Sequence, residues 1–228
     1  MLISIIIPTL NEEANIESVL QSLIGFSNIE ILVSDGGSSD RTCGLIGSFL
    51  LKYPFIQLIH SSRGRAVQLN AGAKQASGEW LIFLHADTII PEKSWTNFCT
   101  LVGKGIAIQS GSFLFQVASD QLRYRLMEKL VNIRTRVLKL PYGDQAIFVR
   151  KDLFLRMQGY REDYPLMEDV EFVRQLQKEK GFTILQSPVI TSPRRHESDG
   201  FFKRITYNFL ITILYRLGIH PKYLVKYY

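Results

Sequence analysis

The 228-residue chain has 46% hydrophobic and 21% charged residues, and its 27 Lys and Arg against 21 Asp and Glu give a formal net charge of +6. That length fits one well-filled α/β domain and crowds two, and the composition is that of an ordinary folded protein. The positive charge suits a polyanionic ligand or an anionic lipid surface but falls short of a nucleic-acid signature, so no nucleic-acid partner is expected.

The first half alternates short apolar runs with helical patterns. Residues 2–8 are nearly continuous Ile and Leu and predict a buried strand. A helix is expected to start near Asn11, with Asn11 as its cap and Glu12 and Glu13 in its first turn. Ile16, Val19, Leu20 and Leu23 follow with the spacing of a core-facing stripe. A strand over 29–33, a helix over 40–51, a strand over 56–60, a helix over 64–76 and a strand over 80–85 continue the alternation. The pattern predicts a mostly parallel sheet with helices on both faces.

The second half is less regular. A long basic amphipathic helix is expected over 121–140, a strand over 145–149, a helix over 168–180, and two short strands, FTIL and VITS. No repeat, low-complexity tract or Pro/Gly linker divides the chain. A single domain is expected, with residues 1–90 binding a nucleotide, 91–198 facing an acceptor, and 199–228 forming a basic aromatic tail. Cys43 and Cys99 are far apart and form no CxxC pair, which fits a reducing compartment. MLISIIIPTL lacks the features of a signal peptide, and no apolar run is long enough to span a bilayer. A cytoplasmic location is therefore expected.

Polar residues cluster where the predicted strands end, the usual ligand-binding rim of an open parallel sheet. The first strand runs into Pro8-Thr9-Leu10-Asn11-Glu12, the second into Asp35-Gly36-Gly37, and the fourth into His85-Ala86-Asp87. Neither GxGxxG nor GxxxxGK[ST] occurs, so both Gly-rich phosphate cradles are absent. A diphosphate then needs another source of positive charge, and Mg²⁺ or Mn²⁺ on a carboxylate supplies it. Asp87 is placed for that role, although a lone Asp after a strand is also an ordinary turn former.

PTLNEE, SDGGSSD, RGRAVQLNAGAKQASGEWLIFLHAD, GDQAIFV and MEDVEF, in this order, resemble the family-two inverting glycosyltransferases, from residue 3 to about 198. The resemblance implies a GT-A fold, a UDP- or GDP-sugar donor and a divalent metal. It implies that Pro8, Asn11 and Glu12 line the base and ribose pocket, and that Asp35 accepts a hydrogen bond from the base. Arg63, Arg65 and Asn70 would be donor contacts. The family's Asp-x-Asp is His85-Ala86-Asp87 here, which leaves Asp87 as metal ligand and His85 to contact ribose or phosphate, or to pack. Asp169 would be the general base, with Glu168 an acceptor contact or a helix cap. Asp144 and Gln145 would face the acceptor. Arg194 and Arg195 would clamp the diphosphate, and His196 would be a further metal ligand.

His60 and His220 are read as structural. The tail mixes aromatic and aliphatic residues with Lys203, Arg204, Arg216, Lys222 and Lys226. Two readings stay open for it: contact with an anionic membrane face, or two helices packed on the domain. A small-molecule or lipid-linked acceptor is expected. The wider pattern, with LHADT and SPRR, is similar to bacterial transferases linked to arsenosugar biosynthesis. Rival readings are a nucleotidyltransferase of similar fold, which would need a Gly-rich basic loop after the first strand, and a non-catalytic nucleotide-sugar binding module.

Overall fold

The computed structural model describes residues 1–104, 107–194, 197 and 200–225. The first half follows the expected alternation: β1 (Ile3–Thr9), α1 (Ile16–Leu23), β2 (Ile29–Asp35), α2 (Thr42–Leu50), β3 (Ile56–His60), α3 (Arg65–Gln75) and β4 (Trp80–Phe83). Strands β3, β2, β1 and β4 lie side by side, all parallel. Ile5, Ile6 and Ile7 of β1 are fully buried, because helices cover both faces of the strand. Burial of each such side chain contributes about 1.5–3 kcal/mol.

Helix α1 begins four residues later than expected, with Asn15 in the cap position. Asn11 does not cap it: its backbone is left-handed, with φ 55°, and its Oδ1 accepts the Ser39 amide at 2.9 Å. The Glu12 amide donates to Thr42 Oγ1 at 2.8 Å and the Glu13 amide to Asp40 Oδ2 at 3.2 Å. The polar run after β1 therefore zips to the loop after β2, since cross-loop partners satisfy its amides better than a helical turn would.

The second half adds β5 (Thr88–Ile89), α4 (Glu92–Gly103), β6 (Ser110–Val117), α5 (Leu122–Leu138), a 3-10 turn (Gly143–Gln145), β7 (Ile147–Arg150), α6 (Lys151–Arg156), α7 (Glu168–Leu176), β8 (Phe182–Thr191), α8 (Phe201–Arg216) and α9 (Pro221–Leu224). The sheet order is β3-β2-β1-β4-β7-β6-β8-β5. Strand β7 is antiparallel to both β4 and β6, and β6 pairs with β8 in parallel. FTIL and VITS are one strand rather than two. A register jump between Ser112 and Leu114 sets Leu185, Gln186 and Ser187 against Phe113 alone and lets β8 continue through Pro188. The tail forms α8 and α9, held to the domain by buried Phe201, Ile211, Tyr215 and Leu224. His220 caps α9 by accepting the Lys222 amide at 3.3 Å and packs edge-on to Tyr164. No described helix is long and apolar enough to cross a membrane.

Candidate active site

The parallel half of the sheet ends on one rim, and Gln68 of α3 reaches into it. Its Nε2 donates to the Thr9 carbonyl at 2.7 Å and the Ser34 carbonyl at 2.9 Å, joining the ends of β1 and β2. Asp35 closes β2. Its Oδ2 accepts the Gly37 and Ser38 amides at 2.9 Å each, and its Oδ1 accepts the hydroxyls of Ser38 and Thr9. Burial pushes the Asp35 carboxyl up. The Ser38 hydroxyl and the Ser38 and Gly37 amides outweigh that and hold it below the usual carboxylate range. These four bonds engage both oxygens, so Asp35 builds the 36–38 turn whatever else it binds.

A cleft of about 330 Å³ opens beside this rim, lined by Pro8, Thr9, Glu12, Arg63, Arg65 and His85 among others. Glu12 Oε2 accepts Asn15 Nδ2 at 2.8 Å and Arg194 Nη2 at 3.1 Å, which brings the segment after β8 over the first-strand loop. The chain beyond β8 thus reaches the loop after β1. Arg195 and His196 lie outside the described residues.

Three carboxylates feel one another's charge, with Asp144 acted on by both Asp87 and Asp169. Asp87 follows β4 and is buried, Asp144 sits in the 3-10 turn, and Asp169 starts α7. The Gly143 amide donates to Asp169 Oδ2 at 2.7 Å, and the Val170 amide to Asp169 Oδ1 at 2.8 Å. His85 closes on the same point, since a Cβ on Gly143 would lie 2.9 Å from His85 Nε2 and 3.1 Å from Asp169 Oδ2. Arg65 of α3 balances the charge: Nε bonds Glu168 Oε1, and Nη2 lies 3.7 Å from Asp169 Oδ2. Burial raises the Glu168 carboxyl while Arg65 opposes it.

Asp144 is strongly perturbed. Burial pushes its carboxyl up to about 6, Arg134 opposes the shift, and the charges of Asp169 and Asp87 add to it. Its Oδ1 has no hydrogen-bond partner among the described residues. Three of the six described non-glycine residues with positive φ lie in or next to candidate segments. Asn11, Ala146 and Met167, each adjacent to a candidate residue, have φ between 45° and 64°, a conformation that side-chain-bearing residues hold only when the surroundings impose it.

Two expected contacts are committed within the fold. Asn70 braces the loop after α6, giving Nδ2 to the Tyr160 carbonyl and Glu162 and accepting the Tyr160 amide. Gln145 is fully buried: its Oε1 accepts Arg134, Thr135 and Tyr142, and its Nε2 donates to the Phe113 carbonyl. Gln68 and Gly143 lie inside two of the quoted motifs but were given no role in the sequence, because their contacts form only in the folded chain.

Among the described residues no group of three or more His, Cys, Asp or Glu could hold a metal ion by itself. The donor set is oxygen-rich and incomplete. The Asp87 carboxylate fits a hard divalent cation that takes most of its other ligands from phosphate oxygens.

An open, largely parallel sheet with acidic residues beyond its strand ends is the GT-A type of α/β architecture, and solved chains agree. TarS of S. aureus (residues 1–349, in complex with UDP) superposes with a TM-score of 0.67 at 18% identity, covering 84% of this chain and 60% of TarS. The mannosyltransferase PcManGT from Pyrobaculum calidifontis, in complex with GDP-Man and Mn²⁺, gives 0.64 at 20% identity, covering 83% of this chain and 56% of that one. The chain belongs to the family described as Glycosyl transferase family 2, whose model matches residues 4–156. It is 25% identical over 193 residues to the probable glycosyltransferase YdaM of Bacillus subtilis (strain 168), covering 74% of this chain and 45% of YdaM. The chain thus spans about half the length of that relative.

Proposed function

We propose that this chain transfers a sugar, with inversion, from a UDP- or GDP-linked donor to an acceptor hydroxyl. One observation carries the reading: the charges of Asp87 and Asp169 act on Asp144, Arg65 pairs with Glu168 and Asp169, and Arg65 also lines a cleft together with Pro8, Glu12, Arg63 and His85. Family membership and the nucleotide-bound TarS and PcManGT folds support it.

In this reading residues 1–90 bind the donor. Asp35 shapes the base pocket, with Asn11 and Glu12 beside it. Arg63, Arg194 and Arg195 meet the diphosphate, and His85 meets ribose or phosphate. Residues 91–198 face the acceptor, and Asp144 contacts it. Asp169 takes the proton of the attacking hydroxyl, its carboxylate aimed by the Gly143 and Val170 amides. Glu168 holds Arg65 in place. Asp87, with His196 as a further ligand, would hold Mn²⁺ or Mg²⁺ together with the diphosphate. When bound, the ion offsets the negative charge that grows on the leaving phosphate. The site described here is cytoplasmic in this reading, with the 199–228 segment free to meet the inner membrane face.

A donor screen that measures released nucleotide tests the proposal. Release of nucleoside diphosphate only when an acceptor is present is the expected result. Release of inorganic pyrophosphate would favour the nucleotidyltransferase reading, and nucleotide binding without turnover the binding-module reading. Arsenosugar precursors belong among the acceptors, because the LHADT and SPRR segments resemble transferases of that route.

A further inference from the structure

Helix α5 exposes apolar residues where a solvated helix would carry polar ones. Leu122, Leu126, Leu130, Ile133 and Val137 are 83%, 58%, 59%, 46% and 73% exposed. Spaced by four, four, three and four, they fall within about 80° of one another around the helix. The buried residues Tyr124, Glu128 and Thr135 lie on the opposite side, so this second apolar face is not part of the domain core.

Charge identifies what covers it. Arg123, Lys129, Arg136 and Lys139 are all exposed along the helix and at its C-cap. Its one acid, Glu128, is turned inward and bonds Arg125 and the Val117 amide. Helix α8 joins α5 through the Tyr124–Phe201 ring contact and repeats the pattern. Phe209, Leu210, Ile213 and Leu217 are exposed there, and residues 200–228 contain no Asp or Glu. A second copy docking on this face through a two-fold axis would set cation against cation. An anionic bilayer takes both components, the aliphatic stripe into the acyl boundary and the cations at the headgroups.

We propose that α5, with α8 beside it, is an in-plane membrane-binding face that takes an anionic phospholipid surface. The assignment does not depend on the transfer reaction. Flotation of the full chain with vesicles tests it directly. Binding is expected to phosphatidylcholine vesicles that contain phosphatidylglycerol, and to fall away on phosphatidylcholine alone and at high salt. Leu126→Gln/Leu130→Gln should weaken binding by about tenfold or more, because two inserted side chains are lost. Lys129→Gln/Arg136→Gln should weaken it on the anionic vesicles, with an unchanged melting temperature for both variants. Should the leucine pair alter the fold, the charge pair decides alone. Absence of binding to the anionic vesicles, or binding that neither pair affects, overturns the proposal. Vesicle-free self-association that the leucine pair abolishes also overturns it and assigns the face to a second copy. Nucleotide binding measured without vesicles reads the transferase proposal separately.

Discussion

Asp169 Oδ2 accepts the Gly143 amide at 2.7 Å, which ties the first turn of α7 to the 3-10 turn 26 residues earlier. The bond aims one carboxylate at the centre of the site, and the space around it is full. Gly143→Ala would place a methyl group between His85 Nε2 and Asp169 Oδ2, so one of the two must move. Turnover should fall by about tenfold to a hundredfold, the usual result of an ångström-scale misplacement. The melting temperature should fall by only a few degrees. Steady-state nucleotide release beside a thermal melt checks both.

Asp169→Asn keeps the shape and at least one acceptor oxygen but cannot take a proton. Donor affinity should persist while turnover drops by a factor of about 10²–10⁴. Calorimetry and nucleotide release separate the two effects. An active Asn variant would move the base role to another carboxylate.

Asp87→Ala should remove the part of UDP or GDP affinity that Mn²⁺ adds and leave the metal-free affinity in place. Because no protein-only cage exists among the described residues, metal and nucleotide should bind synergistically in the unaltered protein. Titrations of each ligand in the presence and absence of the other measure that coupling, and independent binding would defeat the assignment.

The pH dependence of stability tests Asp144. Its folded carboxyl is raised to about 6 from an ordinary value of 3.8, so the folded state holds a proton that the unfolded state has released. The stabilising contribution is complete below the unfolded value and is lost as pH rises towards 6. Asp144→Asn removes that titration, and near pH 7 it should gain about 1–3 kcal/mol relative to the unaltered protein, with no gain near pH 4. Urea unfolding at the two pH values supplies the comparison.

Gln68→Ala would strand two carbonyls at the rim, those of Thr9 and Ser34. A loss of about 2–4 kcal/mol is expected, since neither carbonyl gains a new partner without water entering the sheet end. Denaturant unfolding gives the number directly.

Much of the parallel half was legible because β1, β2 and β4 are buried on both faces and read as nearly continuous apolar runs. The antiparallel half was not. Strand β6, SGSFLFQV, opens on small polar residues that are buried against β7 and β8 and look like loop in one dimension. Gln186, Ser187 and Pro188 made β8 look broken, when the break is a bulge. The candidate residues at strand ends stood out because polar side chains follow apolar runs there. The braces behind them were not, because Gln68, Asn70 and Gln145 are the same kind of side chain whether they hold a ligand or a neighbouring loop. Asn11 misled for a related reason. A side chain that suits a helix cap also suits a left-handed loop residue, and only the partner loop after β2 decides between them.

Arg65 belongs to the third helix of the first half, and its carboxylate partners Glu168 and Asp169 arrive more than a hundred residues later. The pair sets a rule for recombining this chain with its relatives. A crossover placed anywhere between residues 65 and 168 inherits the arginine from one parent and the acids from the other. Where the second parent lacks a matching cation, Glu168 is left buried at 1% exposure with no counter-charge. Such hybrids should express poorly even when every strand is intact. Breakpoints ahead of α3 or beyond α7 keep the contact whole, and they are where domain-swapped libraries of this scaffold should be cut.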